Sequence, residues 1–118
     1  ILKTKNEVLP VEVVVPETLK RFMVHLVRML RNHKDLEKKP SVRATIGLYE
    51  RTKAHAALHG RKTAQLEDLE AIYLSVLAHR IRLAPSLRYS KEPNQIIAEQ
   101  FKRLVERTDL SSKEEDVP

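Results

Sequence analysis

No cysteine and no tryptophan occur among the 118 residues, and glycine appears only twice. Without cysteine there are no disulfides and no thiolate metal sites, and a reducing cytoplasm is the expected setting. The two glycines, Gly47 and Gly60, stand thirteen positions apart. A P-loop or a dinucleotide fingerprint needs several glycines so that backbone N–H groups can wrap a phosphate, so neither is present. A Walker B acid pair after an apolar strand is missing too, because Val13-Val14-Val15 leads into Pro16-Glu17. Aromatic residues make up only 4% of the chain, which leaves the core to Leu, Ile, Val and Ala and favours helix over sheet. No apolar run approaches the roughly 18 residues that span a bilayer. The sequence opens at Ile1 with neither Met nor a signal-like segment, as expected for a piece trimmed from a longer protein.

What is present in excess is positive charge. The formal net charge is +6. Residues 111–118 hold one lysine against three acids, a net of −2, which leaves +8 on residues 1–110. Such a surface suits nucleic acid, phosphates or an acidic protein neighbour, but charge alone points first to a solvated basic face.

Hydrophobic spacing divides the chain into an arm and four helices. Residues 1–16 read as a leader or extended arm, with a short strand or extended run at Val11 to Val15 closed by Pro16. A first helix beginning near Pro16 or Glu17 carries Leu19, Phe22, Met23, Leu26, Val27 and Leu30 as one stripe. The polar stretch Asn32 to Pro40 reads as a connection. Ser41 stands where an N-cap belongs, and a second helix is expected to run to about His59 and stop at Gly60. Its larger contacts are expected to be Ile46, Leu48, Tyr49 and Leu58. A third helix, from about Leu66 to Arg80, has Leu66, Leu69, Ile72, Tyr73, Val76 and Leu77 on its buried face and Glu67, Asp68 and Glu70 at its start. Ile81-Arg82-Leu83 reads as extended. A fourth helix from about Pro93 to Arg107 buries Ile96, Ile97, Phe101, Leu104 and Val105, and residues 108–118 read as a disordered polar tail. The expected fold is all-α, a small four-helix bundle over residues 17–107.

A search for local chemistry finds little. His55 and His59 share a helix face, but Ala56, Ala57 and Leu58 between them supply no glutamate base and no third ligand, so no metal site is assigned. His25 and His33 carry no motif, and no Gly-x-Ser-x-Gly elbow supports a nucleophile. The helix–Gly–helix around Gly60 resembles a helix-turn-helix in outline only. Its second helix opens with Glu67, Asp68 and Glu70, which repel phosphates, and the chain is poor in aromatics for base stacking. Direct reading of nucleic acid is therefore disfavoured.

Four segments stand in register: Pro40-Ser41-Val42-Arg43-Ala44-Thr45, then Ala54-His55-Ala56-Ala57-Leu58-His59-Gly60-Arg61, then Glu67-Asp68-Leu69, then Val76-Leu77-Ala78-His79-Arg80-Ile81. Their order and spacing, over about Glu17 to Pro85, resemble the C-terminal lid domain of MoxR-type and magnesium-chelatase-type AAA+ ATPases. Such lids carry Ser-x-Arg-Ala at a helix start, small residues ending in Gly-Arg, a Glu-Asp-Val-like helix start and a Val-Leu-x-His-Arg-Ile segment. Two departures are visible. Relatives place Thr-Pro before the Glu-Asp pair where this chain has Gln65-Leu66, which weakens the expected cap, and the segment after Pro85 drifts from the pattern.

The resemblance implies that Arg43 is the sensor 2 arginine, reaching the terminal phosphates of ATP held by a neighbouring subunit. A guanidinium in the first turn of a helix suits that duty, being permanently charged and placed where the helix end favours anions. It also implies that ATP and Mg²⁺ are bound only in the full-length oligomer and not by this chain alone. The implied partners are the chain's own N-terminal AAA+ core and the neighbouring subunits of a homo-oligomeric ring. Ser41, His79 and Arg80 match the family pattern as structural or interface residues, with an ion pair expected at Arg80. The lid of a minichromosome-maintenance-type helicase and a free-standing basic helical binding module are the alternatives.

Overall fold

The structure is a computed structural model that describes residues 7–115, with side chains described for residues 7–108. Residues 1–6 of the expected leader and residues 116–118 of the expected tail lie outside the described residues. Four helices dominate. Helix α1 spans Glu17–Arg31, and its buried residues are the six that the three-and-four spacing predicts, Leu19, Phe22, Met23, Leu26, Val27 and Leu30. Glu17 sits at its positive end, and Arg28 and Arg31 sit at its negative end. Beyond it, Arg31 Nη1 donates to the Pro40 carbonyl at 2.7 Å and folds the following connection back onto the helix.

That connection contains a strand the sequence did not announce. Strand β1, Leu36–Lys38, pairs antiparallel with β2, Arg82–Leu83, with Leu36 opposite Leu83. One buried leucine among charged residues leaves too little alternation to read as a strand. The pairing is completed from outside by ion pairs from Arg82 and Arg88 to Glu37, and from Lys91 to Asp35. The extended reading of residues 81–83 holds.

Helices α2, Ala44–Leu58, and α3, Leu66–Leu77, form an antiparallel hairpin, and α2 packs more extensively against α3 than against α1. Gly60 ends α2 with φ at +70°. The Gly60 N–H donates to the Ala57 carbonyl and the Arg61 N–H to the Ala56 carbonyl, which satisfies the last turn. Two expectations for α2 are corrected. Ser41 is not its N-cap: the residue before the helix is Arg43, already in helical conformation, and residues 41–43 wind as a tight turn whose carbonyls accept from Ala44, Thr45 and Ile46. Those bonds satisfy the first N–H groups without a serine hydroxyl. Ile46 and Leu58 are 57% and 85% exposed, so the buried face of α2 rests on Ala44, Leu48, Thr52, Ala56 and Ala57. Helix α3 gives way to a 3-10 turn at Ala78–Arg80, and its Leu66 is more exposed than expected.

Helix α4, Pro93–Glu115, extends past residue 108, where a disordered tail was expected; no Gly or Pro interrupts that stretch. Ile96, Ile97, Phe101 and Leu104 are buried, with Val105 packed partly beside them. The few aromatics are concentrated. Phe101 stacks on Tyr73 with ring centroids 4.1 Å apart and meets Phe22 edge-on at 5.3 Å, which joins α1, α3 and α4.

The arm is not a five-residue strand. Residues 10–12 form a 3-10 turn, and only Val14 pairs, in a single parallel bridge to Thr63. The Val14 N–H donates to the Lys62 carbonyl at 2.8 Å, and the Ala64 N–H donates to the Val14 carbonyl at 2.9 Å. Val13 and Val15 are buried on either side while Val14 is exposed. The alternation is that of a strand, but the short α2–α3 loop offers only one residue to pair with. Among the described residues, no helix is long and apolar enough to cross a membrane.

Candidate functional site

The α2–α3 hairpin carries almost every residue singled out in the sequence, distributed between its two ends. At the closed end, Asp68 in the first turn of α3 is fully buried. Its Oδ2 accepts from the Gln65 N–H at 2.8 Å, while Oδ1 lies 2.7 Å from His55 Nδ1 and is paired with the Arg61 guanidinium. Arg61 also reaches Glu67 at 3.1 Å. Burial pushes the Asp68 carboxyl up, but the Arg61 guanidinium, the Gln65 N–H and His55 outweigh it and hold the group below the ordinary aspartate value. Arg61 is correspondingly raised, first by its bond to Asp68.

This cluster explains why Gly-Arg and Glu-Asp stand at their spacing. Gly60 turns the chain, Arg61 follows it, and Asp68 receives Arg61 while capping α3. The cap that looked weak at Gln65-Leu66 is thus supplied by Asp68. The cluster also decides the histidine pair. The rings of His55 and His59 lie 4.3 Å apart, and Nδ1 of His55 is taken by Asp68. Among the described residues, no three His, Cys, Asp or Glu side chains gather where they could hold a metal ion.

The open end presents the start of α2 and the end of α3. Arg43 stands immediately before α2, and among the described residues its exposed side chain makes no hydrogen bond or ion pair. Gly47 and Arg51 follow at steps of four on the same helix face. Arg80 lies across from them. Its Nε donates to the Val76 carbonyl at 3.1 Å, and its Nη2 is 3.5 Å from where a Cβ on Gly47 would stand. Among the described residues Arg80 makes no ion pair, and its guanidinium turns back onto its own helix. His79 and Ser41 are exposed, and the Ser41 carbonyl accepts from the Ala44 N–H. Gly47, Arg51, Ser75, Val76, His79 and Arg80 line a cavity of about 300 Å³. Arg43 lies one turn from it and is not part of its wall.

Sequence reasoning missed Gly47, Arg51 and Asp68 as members of these two groups. The spacing of residues 43, 47 and 51 was a signal for the open end. Asp68 read as one of three acids at the start of the third helix and as part of the Glu67-Asp68-Leu69 segment, with no role assigned to it.

Comparison with known proteins now places the fold. The family model for the AAA lid domain matches residues 28–100. The chain belongs to the AAA lid domain family. Its match runs from the last turn of α1 through the α2–α3 hairpin to the middle of α4, so both ends of the hairpin fall inside it. A lid of this family is associated with an AAA+ core. The lid is similar in fold to a crystal structure of a protein assigned as an ATPase from Cytophaga hutchinsonii. The TM-score is 0.74 at 23% identity, over 79% of this chain and 31% of that one. The lid therefore spans about a third of the length of that structure. No curated protein matches the sequence.

Proposed function

We propose that this lid serves an oligomeric AAA+ ATPase of the MoxR or magnesium-chelatase type and supplies Arg43 as the sensor 2 arginine to ATP held at a subunit boundary. The observation that carries this reading is the state of Arg43: exposed, without a carboxylate partner among the described residues, and placed where α2 begins. A permanently charged guanidinium at a helix start can donate paired hydrogen bonds to phosphate oxygens without first breaking an internal ion pair. The positive end of α2 adds to the attraction. As ATP is cleaved, negative charge builds on the oxygen that leaves with the diphosphate while the terminal phosphoryl group is still held by its donors. A fixed cation at these phosphates can stabilise the transition state more than the ground state. ATP, when bound in the oligomer, would supply the phosphoryl group, and magnesium would neutralise the phosphates.

The rest of the lid supports that role mechanically. The Asp68 cluster fixes the α2–α3 loop, and the aromatic contacts lock α3 and α1 to α4, so α2 presents Arg43 from a rigid hairpin. A displacement of Arg43 on nucleotide turnover then moves the hairpin as a body, coupling hydrolysis to conformational change. A homo-oligomeric ring in the cytoplasm follows from the same family reading.

The test uses the protein that joins this lid to its AAA+ core. Arg43→Ala lowers steady-state ATP hydrolysis about a hundredfold, the scale of one lost transition-state donor, while circular dichroism and ring assembly stay as in the parent. Unchanged hydrolysis removes Arg43 from the site.

A further inference from the structure

We propose that the cavity between Gly47, Arg51, His79 and Arg80 is an anion site for phosphate groups. This goes beyond the assignment of Arg43, which is not part of the cavity wall. Three observations converge. The first is the supply of donors. Arg80 spends only Nε on the Val76 carbonyl, so among the described residues both of its Nη groups are without a partner, and Arg51 makes no hydrogen bond or ion pair with them. His79 and the Ser75 hydroxyl complete the polar wall, although Ser75 Oγ donates to the Ile72 carbonyl at 2.9 Å.

The second observation is the absence of internal competition. Glu50, the single acid of α2, pairs with none of these arginines. The three acids of α3 lie in its first two turns, at the far end of the hairpin. Three other arginines of the lid do find acids, Arg61 with Asp68 and Glu67, and Arg82 and Arg88 with Glu37.

The third observation is shape. The donors border a hollow of about 300 Å³, large enough for a chain of phosphate groups. The hollow exists because position 47 has no side chain. A larger residue on that face would meet Val76 Cγ1 at 3.4 Å and Arg80 Nη2 at 3.5 Å from its Cβ alone. A phosphate chain matches this wall, since each guanidinium can take two oxygens of one group while neighbouring groups reach the next donor. The shared chemistry is the phosphate, which either a nucleotide or free inorganic polyphosphate supplies.

The test is a titration of this chain at low salt with tripolyphosphate, with ATP and with a glutamate-rich peptide, followed by calorimetry and by ¹⁵N–¹H spectra. Tripolyphosphate is expected to shift the amides of Gly47, Arg51, Val76, His79 and Arg80 as one group. Arg80→Gln and Arg51→Gln each weaken binding about tenfold, the scale of one lost charge-assisted bond. Arg103→Gln, which removes the same charge from an exposed site on α4, leaves it unchanged. ATP binding equal to tripolyphosphate assigns the site to phosphate alone, and tighter ATP binding assigns it to a nucleotide; both support the proposal. Equal weakening by Arg103→Gln, shifts centred elsewhere or no binding at all overturns it. So does a glutamate peptide that binds as tightly as tripolyphosphate, which makes the cavity a seat for an acidic protein partner. Because the readout is binding to this chain, its failure is separate from any failure of Arg43 in ATP turnover.

Discussion

At one end of the α2–α3 hairpin, Arg61 and His55 converge on one buried carboxylate; at the other, Arg43, Arg51 and Arg80 meet none among the described residues. Both ends belong to the same two helices and use the same residue types. The difference is where the counter-charge comes from. At the closed end it comes from within the chain, and the result is a fixed loop, a capped helix and a carboxyl held charged. At the open end the cations keep their hydrogen-bonding capacity. A paired arginine stabilises a fold, while an unpaired one is free to answer to a ligand.

The comparison breaks most visibly at Asp68. Asp68→Ala takes the buried partner from His55 and from Arg61, which keeps Glu67, and removes the cap of α3; it is expected to cost about 2–3 kcal/mol in urea unfolding. The figure sits at the low end for a broken buried pair because Arg61 remains partly in water. A smaller effect follows from pH. The folded chain keeps Asp68 charged where the unfolded chain would protonate it. The unfolded state therefore takes up more protons as pH falls below the ordinary value of 3.8, and stability contributed by this group is complete above that pH and lost below it. Urea midpoints measured between pH 5 and pH 2.5 fall more steeply for the parent than for Asp68→Asn, in which the group cannot titrate.

At the open end the expected changes are smaller and differ in sign. Gly47→Ala removes the helix-interior cost of glycine, and its new methyl stands in ordinary contact with Val76 and Arg80. It should stabilise the chain by about 0.5–1 kcal/mol in the same unfolding assay. Arg51→Gln should change stability by less than about 0.5 kcal/mol, since no partner is lost. A cost near that of Asp68→Ala would mean that the open end is structural after all.

The sequence made the first helix legible to the residue, because an unbroken apolar stripe of six positions has one interpretation at helical spacing. Helix α2 was harder to read. Its alanines bury without a strong periodic signal, so the large residues Ile46 and Leu58 looked like core and are surface. Strand β1 was invisible because a single leucine between charges has no period. The open end was half legible: Arg43 came from the family resemblance, and Arg80 from the same source but with an ion pair it does not make. Asp68 could not be distinguished by type or position. What singles it out is Arg61 seven residues earlier, brought back by the left-handed turn at Gly60.

The single bridge at Val14 has a mechanical meaning. Two backbone bonds fasten the arm to Lys62 and Ala64, and the residues just outside that pair, Arg61 and Gln65, both hold Asp68. A pull on the arm is thus delivered to the hinge of the hairpin, because each point of attachment is the chain neighbour of a residue that holds Asp68. The arm is a short lever whose load falls on the closed end, and the far tip of the same hairpin carries Arg43.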